Sequence, residues 1–127
     1  MSTKQVLENE VGQVKIENVL PFLGHNVRKT FSGITIKLSS PRYYLFRDKG
    51  IKCTECGAKG SYFSITRSID KKQGHVSHHL NLIGTDENGN KILMTKDHIV
   101  PKSKGGKNTQ DNYQTMCVKC NMKKAAK

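Results

Sequence analysis

A chain of 127 residues with 35% hydrophobic residues and no tryptophan is expected to form a single domain with a modest core, which a structural metal would help to stabilise. Its 22 lysine and arginine residues outnumber ten acidic residues, and the net charge of +12 favours an anionic partner, of which nucleic acid is the commonest. No apolar run approaches the roughly 18 residues of a membrane span, and the first residues lack the apolar core of a secretory signal, so we expect a cytoplasmic protein with no membrane partner.

The N-terminal part of the chain is the least informative. Residues 1 to about 20 carry only a weak apolar pattern, and we expect a loosely held arm or a short strand that ends at Pro21. We predict that residues 1–50 form a small strand and helix extension, packed on a functional domain of residues 51–127.

Two elements are predicted within this extension. Apolar and polar residues alternate over 34–38, which predicts a strand with one buried face. Ser40 suits a helix N-cap and Pro41 suits the first helical position, so a short helix is predicted over 42–49. Gly50 is the expected left-handed residue that ends it.

Four cysteines form two Cys-x-x-Cys pairs, Cys53 with Cys56 and Cys117 with Cys120. In a cytoplasmic protein such pairs bind a metal more often than they form disulfides, and this spacing lets two thiolates meet one tetrahedral ion. The pairs are far apart in sequence, so we expect a hairpin to be inserted between two zinc knuckles. The alternative is four reduced cysteines that are placed independently.

A hairpin is predicted downstream of the first knuckle. Residues 79–84 and 91–95 are strand-like, and the Asn88-Gly89 dipeptide in the connection is a strong turn signal. The second strand leads directly into Asp97 and His98. Good helix formers follow Cys120, which predicts a helix over 121–127.

The last third of the chain carries a series of coupled motifs. In order, these are Asp97-His98-Ile99-x-Pro101, Gly105-Gly106, Asn112 and Cys117-x-x-Cys120-Asn121-x-x-Lys124. The series resembles the zinc-containing HNH endonucleases, and with Cys53 and Cys56 the resemblance extends to about half of the chain. It implies an α+β protein with the ββα-metal HNH fold, in which a β-hairpin and a C-terminal helix clasp a divalent ion beside a four-cysteine structural zinc site.

The resemblance also implies catalytic roles. His98 is expected to act as the general base that activates water, because an imidazole accepts protons near neutral pH. Asp97 and Asn121 are expected to bind the catalytic ion through oxygen atoms, which favours Mg²⁺ or Mn²⁺. Asn112 is expected to brace the intervening loop and orient His98. The implied reaction is hydrolysis of DNA phosphodiester bonds to a 5′-phosphate and a 3′-hydroxyl.

The four cysteines are then expected to hold a separate structural Zn²⁺. Four thiolates leave no open coordination position on the ion, so the site is expected to be structural. Its expected role is to fix the start of the terminal helix. The helix in turn carries Asn121 towards the strand with Asp97 and His98. Zinc removal should therefore let the catalytic ligands separate.

Positive charge is concentrated around the same motifs, because the segment from Lys91 onward holds nine lysines and two acidic residues. Grouped lysines beside a nuclease site are candidates for contacts with DNA phosphates. The candidates are Lys102, Lys104, Lys107, Lys119, Lys123 and Lys124.

Two other functions stay open at this point. A zinc-stabilised DNA-binding module without catalysis would use the same cysteines and the same charge. A protein-interaction domain with an incidental basic tail is a third reading. The protein is expected to be a monomer or a homodimer, and its size and charge suit a phage or a mobile element.

Overall fold

The computed structural model describes residues 1–126 and has a mixed α+β architecture. The strands are β1 (Glu10–Val14), β2 (Arg28–Phe31), β3 (Ile34–Lys37), β4 (Lys59–Ile69), β5 (Val76–Thr85), β6 (Lys91–His98) and β7 (Tyr113–Cys117). The helices are α1 (Thr3–Glu8), α2 (Pro41–Lys49) and α3 (Val118–Ala125). The predicted α+β class is therefore confirmed.

Five strands form one antiparallel sheet in the order β1-β4-β5-β6-β7, and β2 pairs with β3 in a separate hairpin. The long β4–β5 hairpin is the centre of the sheet. Because β1 pairs with β4, the N-terminal extension supplies an edge strand of the same sheet that carries the motif residues. The division of the chain into 1–50 and 51–127 stays a prediction.

The sheet opens between β5 and β6. These strands pair only from Ile83 opposite Leu93 to Thr85 opposite Lys91. Beyond that point β5 is no longer paired with β6, and residues at the N-terminus of α2 form hydrogen bonds with the backbone of Leu80 instead. The Tyr43 hydroxyl accepts a hydrogen bond of 3.1 Å from Leu80 N, and Arg42 Nη2 donates one of 2.8 Å to Leu80 O.

The main core lies where α2 packs against the sheet. Tyr43 and Phe46 of α2 are buried against Phe63 of β4, with ring centroids 6.1 and 6.3 Å apart. Burial of each such aromatic side chain stabilises the fold by about 1.5–3 kcal/mol. A smaller cluster forms where Val6 of α1 packs with Ile83 and Leu93.

The predictions for the extension are partly confirmed. The strand predicted over 34–38 is present as β3, and the helix predicted over 42–49 is present as α2. Gly50 has a positive φ of 103°, as its role at the helix end requires. Ser40 occupies the N-cap position, but its side chain makes no capping hydrogen bond.

Of the two alternatives for the N-terminal residues, the short strand is present as β1, although it ends at Val14 and not at Pro21, and the loosely held arm is wrong. Residues 3–8 form α1, whose start is closed by reciprocal hydrogen bonds between Ser2 and Gln5. Val6 is fully buried, and β1 follows directly. The Ser-x-x-Gln pattern is a helix-start signal, but a helix of six residues depends on its packing for stability.

The predicted hairpin is confirmed, with both strands longer than the sequence indicates. Strand β7 was not predicted. It pairs antiparallel with β6 from Met94 opposite Cys117 to His98 opposite Tyr113, and α3 follows it at once. The strand–strand–helix unit around the motif is therefore β6–β7–α3, joined by a loop over 99–112.

The predicted terminal helix begins earlier than expected, at Val118, and its last residue Lys127 lies outside the described residues. Among residues 1–126, no helix has the length and the apolar character needed to cross a membrane.

Candidate functional site

The four cysteines lie together although 60 residues separate the two pairs in sequence. All four are free thiols, and their Sγ atoms lie within 4.8 Å of one another. Cys56 Sγ and Cys117 Sγ are 3.7 Å apart. A tetrahedral zinc ion with Zn–S bonds of about 2.3 Å requires sulfur separations of about 3.8 Å. The four sulfur atoms and the separation of Cys56 and Cys117 therefore fit a tetrahedral metal site.

Local backbone geometry brings the thiols to this point. Gly57 has a positive φ of 80°, and its N–H donates to Cys53 O, which closes the first knuckle. Cys117 is the N-cap of α3, and its sulfur accepts a hydrogen bond from Cys120 N. The second pair thus forms the first turn of the terminal helix.

The surroundings of the thiols differ, and they shift the thiol pKa values in opposite directions. Burial raises the pKa of the Cys53 thiol, but hydrogen bonds from the backbone of Cys56, Cys117 and Glu55 outweigh it and bring that pKa down to about 7. Burial raises the pKa of Cys117 and of Cys120 above the ordinary thiol value. Backbone N–H groups aimed at sulfur favour the thiolate, which is the form that binds metals.

Asp97 and His98 end strand β6, next to the terminal helix. With Asn121 and Lys124 of α3, they line a cleft of about 310 Å³. Asp97 is buried, with 7% of its surface exposed, and His98 is half-buried. The structure therefore brings together three of the four predicted catalytic residues.

The Asp97 carboxylate is held through one oxygen. Its Oδ2 accepts hydrogen bonds from Gln114 Nε2 at 2.9 Å and from Lys124 Nζ at 2.6 Å. Lys124 Nζ also donates to the backbone carbonyl oxygens of His98 and Ile99. Oδ1 accepts no hydrogen bond from any other residue within 1–126, so it is the oxygen that can bind a ligand.

The His98 ring is oriented by a residue that the sequence did not single out. Nε2 lies 2.8 Å from Asn108 Oδ1, and the ring packs edge-on against Tyr113 with centroids 5.1 Å apart. With this amide oxygen as the acceptor, a neutral imidazole carries its proton on Nε2. Nδ1 then keeps its lone pair.

Within residues 1–126, Asn112 forms no side-chain hydrogen bond with the His98 ring. Its side chain accepts from Val100 N and donates to Val100 O and Lys107 O, at 2.9, 3.0 and 2.9 Å. One amide thus ties together both ends of the loop. The bracing role expected for Asn112 has a structural basis, whereas the contact that orients His98 comes from Asn108.

Asn121 is anchored through its amide nitrogen. Nδ2 donates to Thr95 Oγ1 at 3.0 Å, and Thr95 Oγ1 donates in turn to Met116 O. The amide oxygen Oδ1 accepts no hydrogen bond within the described chain. A second oxygen donor is therefore available at the wall of the cleft that contains Asp97 and His98.

Comparison with known proteins gives a match to this part of the chain. Residues 85–127 match the sequence model of the HNH endonuclease family. The resemblance is confirmed for this segment. The HNH segment contains Asp97, His98 and Asn121, but the first cysteine pair lies upstream of it. The chain as a whole matches no curated protein and no solved structure.

The predicted phosphate-contact lysines of the HNH segment lie in different surroundings. Lys102 lines the cleft with His98, while Lys104, Lys107 and Lys123 are exposed. Lys119 is exposed and lies 3.9 Å from Asp86. Lys124 differs from the others, because its ammonium group donates a hydrogen bond to the Asp97 carboxylate.

Gln114 is a further site residue that the sequence did not indicate. It donates to Asp97 and accepts a hydrogen bond of 3.3 Å from Thr54 Oγ1 in the first cysteine knuckle. The backbone of Thr54 also donates to Thr115 O. Two hydrogen-bonded steps therefore connect the knuckle to the Asp97 carboxylate.

Proposed function

We propose that this protein is a divalent-metal-dependent endonuclease that hydrolyses DNA phosphodiester bonds. The observation that carries the proposal is the shared cleft of Asp97, His98 and Asn121 within a segment that matches a nuclease family. The net charge of +12 supports a nucleic-acid substrate.

His98 is the general base in this proposal. The hydrogen bond from Nε2 to Asn108 supports Nδ1 as the atom that takes a proton from the attacking water. A half-buried ring held at Nε2 and against Tyr113 has little freedom to turn. This restraint matters, because displacement of a catalytic group by about 1 Å can cost a large factor in rate.

The residues present fit a catalytic Mg²⁺ or Mn²⁺. Asp97 Oδ1 and Asn121 Oδ1 are two hard oxygen donors at one cleft, and neither accepts a hydrogen bond within residues 1–126. These two residues would hold the ion. When bound, such an ion offsets the negative charge of the scissile phosphate and stabilises the leaving 3′-oxygen.

Exposed lysines around the cleft support binding of the phosphate backbone. Lys102 lies at the cleft itself, and Lys104 and Lys107 lie on the loop that follows. Lys119 and Lys123 project from α3. Lys124 is assigned instead to positioning Asp97, since it bonds the carboxylate and the two carbonyl groups that follow.

Cys53, Cys56, Cys117 and Cys120 are proposed to hold a structural Zn²⁺. The four-sulfur cluster supports this assignment, and the Thr54–Gln114–Asp97 chain connects it to the cleft. Zinc would fix the Thr54 knuckle against β7 and the first turn of α3. Loss of the ion is then expected to disturb Asp97 through Gln114 and Asn121 through the helix.

A second candidate is a zinc-stabilised DNA-binding module without catalysis. It is favoured by one observation, the bond of the Lys124 ammonium to Asp97 at 2.6 Å, because this bond partly neutralises the carboxylate that would bind the ion. The two candidates differ in a measurable way, since both bind DNA but only the nuclease breaks strands.

The chemistry of the products tests the nuclease assignment. The protein should nick plasmid DNA with Mg²⁺ or Mn²⁺, and DNA ligase should reseal the nicks, because ligase requires a 5′-phosphate and a 3′-hydroxyl. Omission of Mg²⁺ and Mn²⁺ from the zinc-loaded protein should stop nicking without abolishing DNA binding. Nicks that ligase cannot seal, or nicking that persists without Mg²⁺ and Mn²⁺, would exclude the proposed mechanism.

A further inference from the structure

A second polar cleft lies on the molecule outside the HNH segment. It has a volume of about 570 Å³ and forms where α2, β3, β4 and β5 meet. We call it the flanking groove and define it by Lys37, Ser40, Arg42, Thr66, His79 and Asn81. None of these residues belongs to the segment that matches the nuclease family.

Shared lining residues link the flanking groove to the catalytic cleft. A third cleft, of about 340 Å³, lies where β5 and β6 separate. It shares Ser40, Arg42 and Asn81 with the flanking groove, and it shares Lys96 with the cleft that contains Asp97 and His98. The three clefts are therefore neighbours along the surface, and together they define a path from the catalytic residues to the N-terminal extension.

Apart from Asp97, the charged residues along this path are basic. All ten acidic residues lie within residues 1–126, and of these Asp97 alone lines any of the three clefts. The path carries Lys37, Arg42, Lys96 and Lys102 instead. A neighbouring cleft that shares Thr66 with the flanking groove adds Arg67 and Lys71. A path with this charge attracts a polyanion. It carries no second carboxylate that would compete with Asp97 for a cation.

Two buried or half-buried polar side chains line the flanking groove side by side. Asn81 is 4% exposed, and its side chain lines the groove beside Arg42. Arg42 uses Nη2 to bind Leu80 O, while its buried Nε has no partner in the described chain. A guanidinium fixed by one bond is pre-positioned for a phosphate oxygen.

His79 provides supporting electrostatic information. Burial lowers the pKa of His79, and the nearby positive charge of Arg42 and of His78 lowers it further. These residues thus form a site of positive potential, in which a bound anion would relieve the repulsion.

We propose that the flanking groove binds the phosphodiester backbone of DNA on one side of the scissile bond, with Arg42 and Lys37 as phosphate contacts. The proposal rests on the nuclease function proposed above. It assigns the N-terminal extension a role in holding substrate, in addition to its strand in the sheet. Sequence-independent backbone contacts of this kind would set the position of the cleaved bond along the duplex.

DNA binding by the zinc-loaded protein without added Mg²⁺ or Mn²⁺ tests the groove without relying on catalysis. The variant Lys37→Glu is compared with Lys15→Glu, because both lysines are exposed and both changes alter the net charge equally. By fluorescence anisotropy on a duplex of about 24 base pairs, Lys37→Glu should weaken binding about 3- to 10-fold more than Lys15→Glu, and lower the salt-dependence slope by about one. Equal effects of the two variants would overturn the proposal.

Two further measurements distinguish a contact with the DNA backbone from a site for small anions. Arg42→Lys should also weaken binding while circular dichroism shows a folded protein; wild-type affinity in this variant would contradict the assigned contact. Inorganic phosphate at constant ionic strength should not compete with the duplex, and strong competition would indicate a small-anion site instead. If Lys37→Glu weakens DNA binding but the wild type never nicks DNA with Mg²⁺ or Mn²⁺, the groove stands and the nuclease function fails.

Discussion

Lys124 Nζ lies 2.6 Å from Asp97 Oδ2, so the last helix supplies a cation to the carboxylate at the end of β6. The same ammonium group binds the carbonyl oxygens of His98 and Ile99. One side chain thus satisfies three acceptors where β6 ends and the loop begins. It keeps β6 and α3 in contact.

Replacement of Lys124 tests this positioning role. Lys124→Ala should lower the free energy of unfolding by about 1–3 kcal/mol, because the buried Asp97 carboxylate loses a charged hydrogen-bond donor. Chemical denaturation measures the effect. Lys123→Ala is the matched control, since Lys123 is exposed and its loss should change the free energy by about 0.5 kcal/mol or less. Equal stability of the two variants would refute the role.

The loop over 99–112 depends on Asn112. Asn112→Ala removes three hydrogen bonds to backbone groups of Val100 and Lys107, so it should cost about 2–4 kcal/mol of stability. Hydrogen exchange at the Val100 amide should accelerate in this variant. Asn26→Ala, at an exposed turn, is the control and should leave exchange at Val100 unchanged. Protection of Val100 in Asn112→Ala would show that the loop is braced by other contacts.

Asn108 is predicted to set the tautomer of His98. In Asn108→Ala, Nε2 loses its acceptor, and the nitrogen chemical shifts of His98 should change from the Nε2–H form to a mixture. The rate constant for strand cleavage should fall about 10-fold, with little change in DNA affinity. An unchanged tautomer with a reduced rate would assign Asn108 a different function.

Zinc binding should depend on pH with a definite sign. The pKa of the Cys117 and Cys120 thiols is raised by burial, so these groups carry protons at neutral pH in the metal-free protein. Zinc must displace those protons, and its affinity should therefore fall as the pH falls from about 8 to about 6. Competition with a chromophoric chelator measures this affinity. A pH-independent zinc affinity would contradict the four-thiolate site.

Several elements could be predicted because their signals are local. The Asn88-Gly89 turn, the Ser40-Pro41 helix start and the paired Cys-x-x-Cys spacing each specify geometry within a few residues. Within the β6–β7–α3 unit, β7 is the element that the sequence did not predict. Strand β7 is short and buried at four of its five positions, so its sequence lacks the alternation of apolar and polar residues that indicates a half-buried strand.

The residues that the sequence did not indicate act through tertiary contacts. Asn108, Gln114 and Thr95 are ordinary polar residues in sequence, and their roles follow only from β6 meeting β7 and α3. In the sequence, Lys124 cannot be told apart from the exposed lysines near it, for the same reason. Its partner Asp97 lies 27 residues away, across an antiparallel pairing that no local pattern specifies.

Plasmid nicking with Mg²⁺ by the wild type, His98→Ala and His25→Ala tests the central claim most directly. His25 is an exposed histidine outside the cleft and controls for loss of an imidazole. The wild type and His25→Ala should nick at equal rates, and His98→Ala should be slower by about 100-fold or more, because it lacks the general base. Nicking by His98→Ala at the wild-type rate, or no nicking by the wild type with Mg²⁺ or Mn²⁺, would contradict the proposed nuclease function.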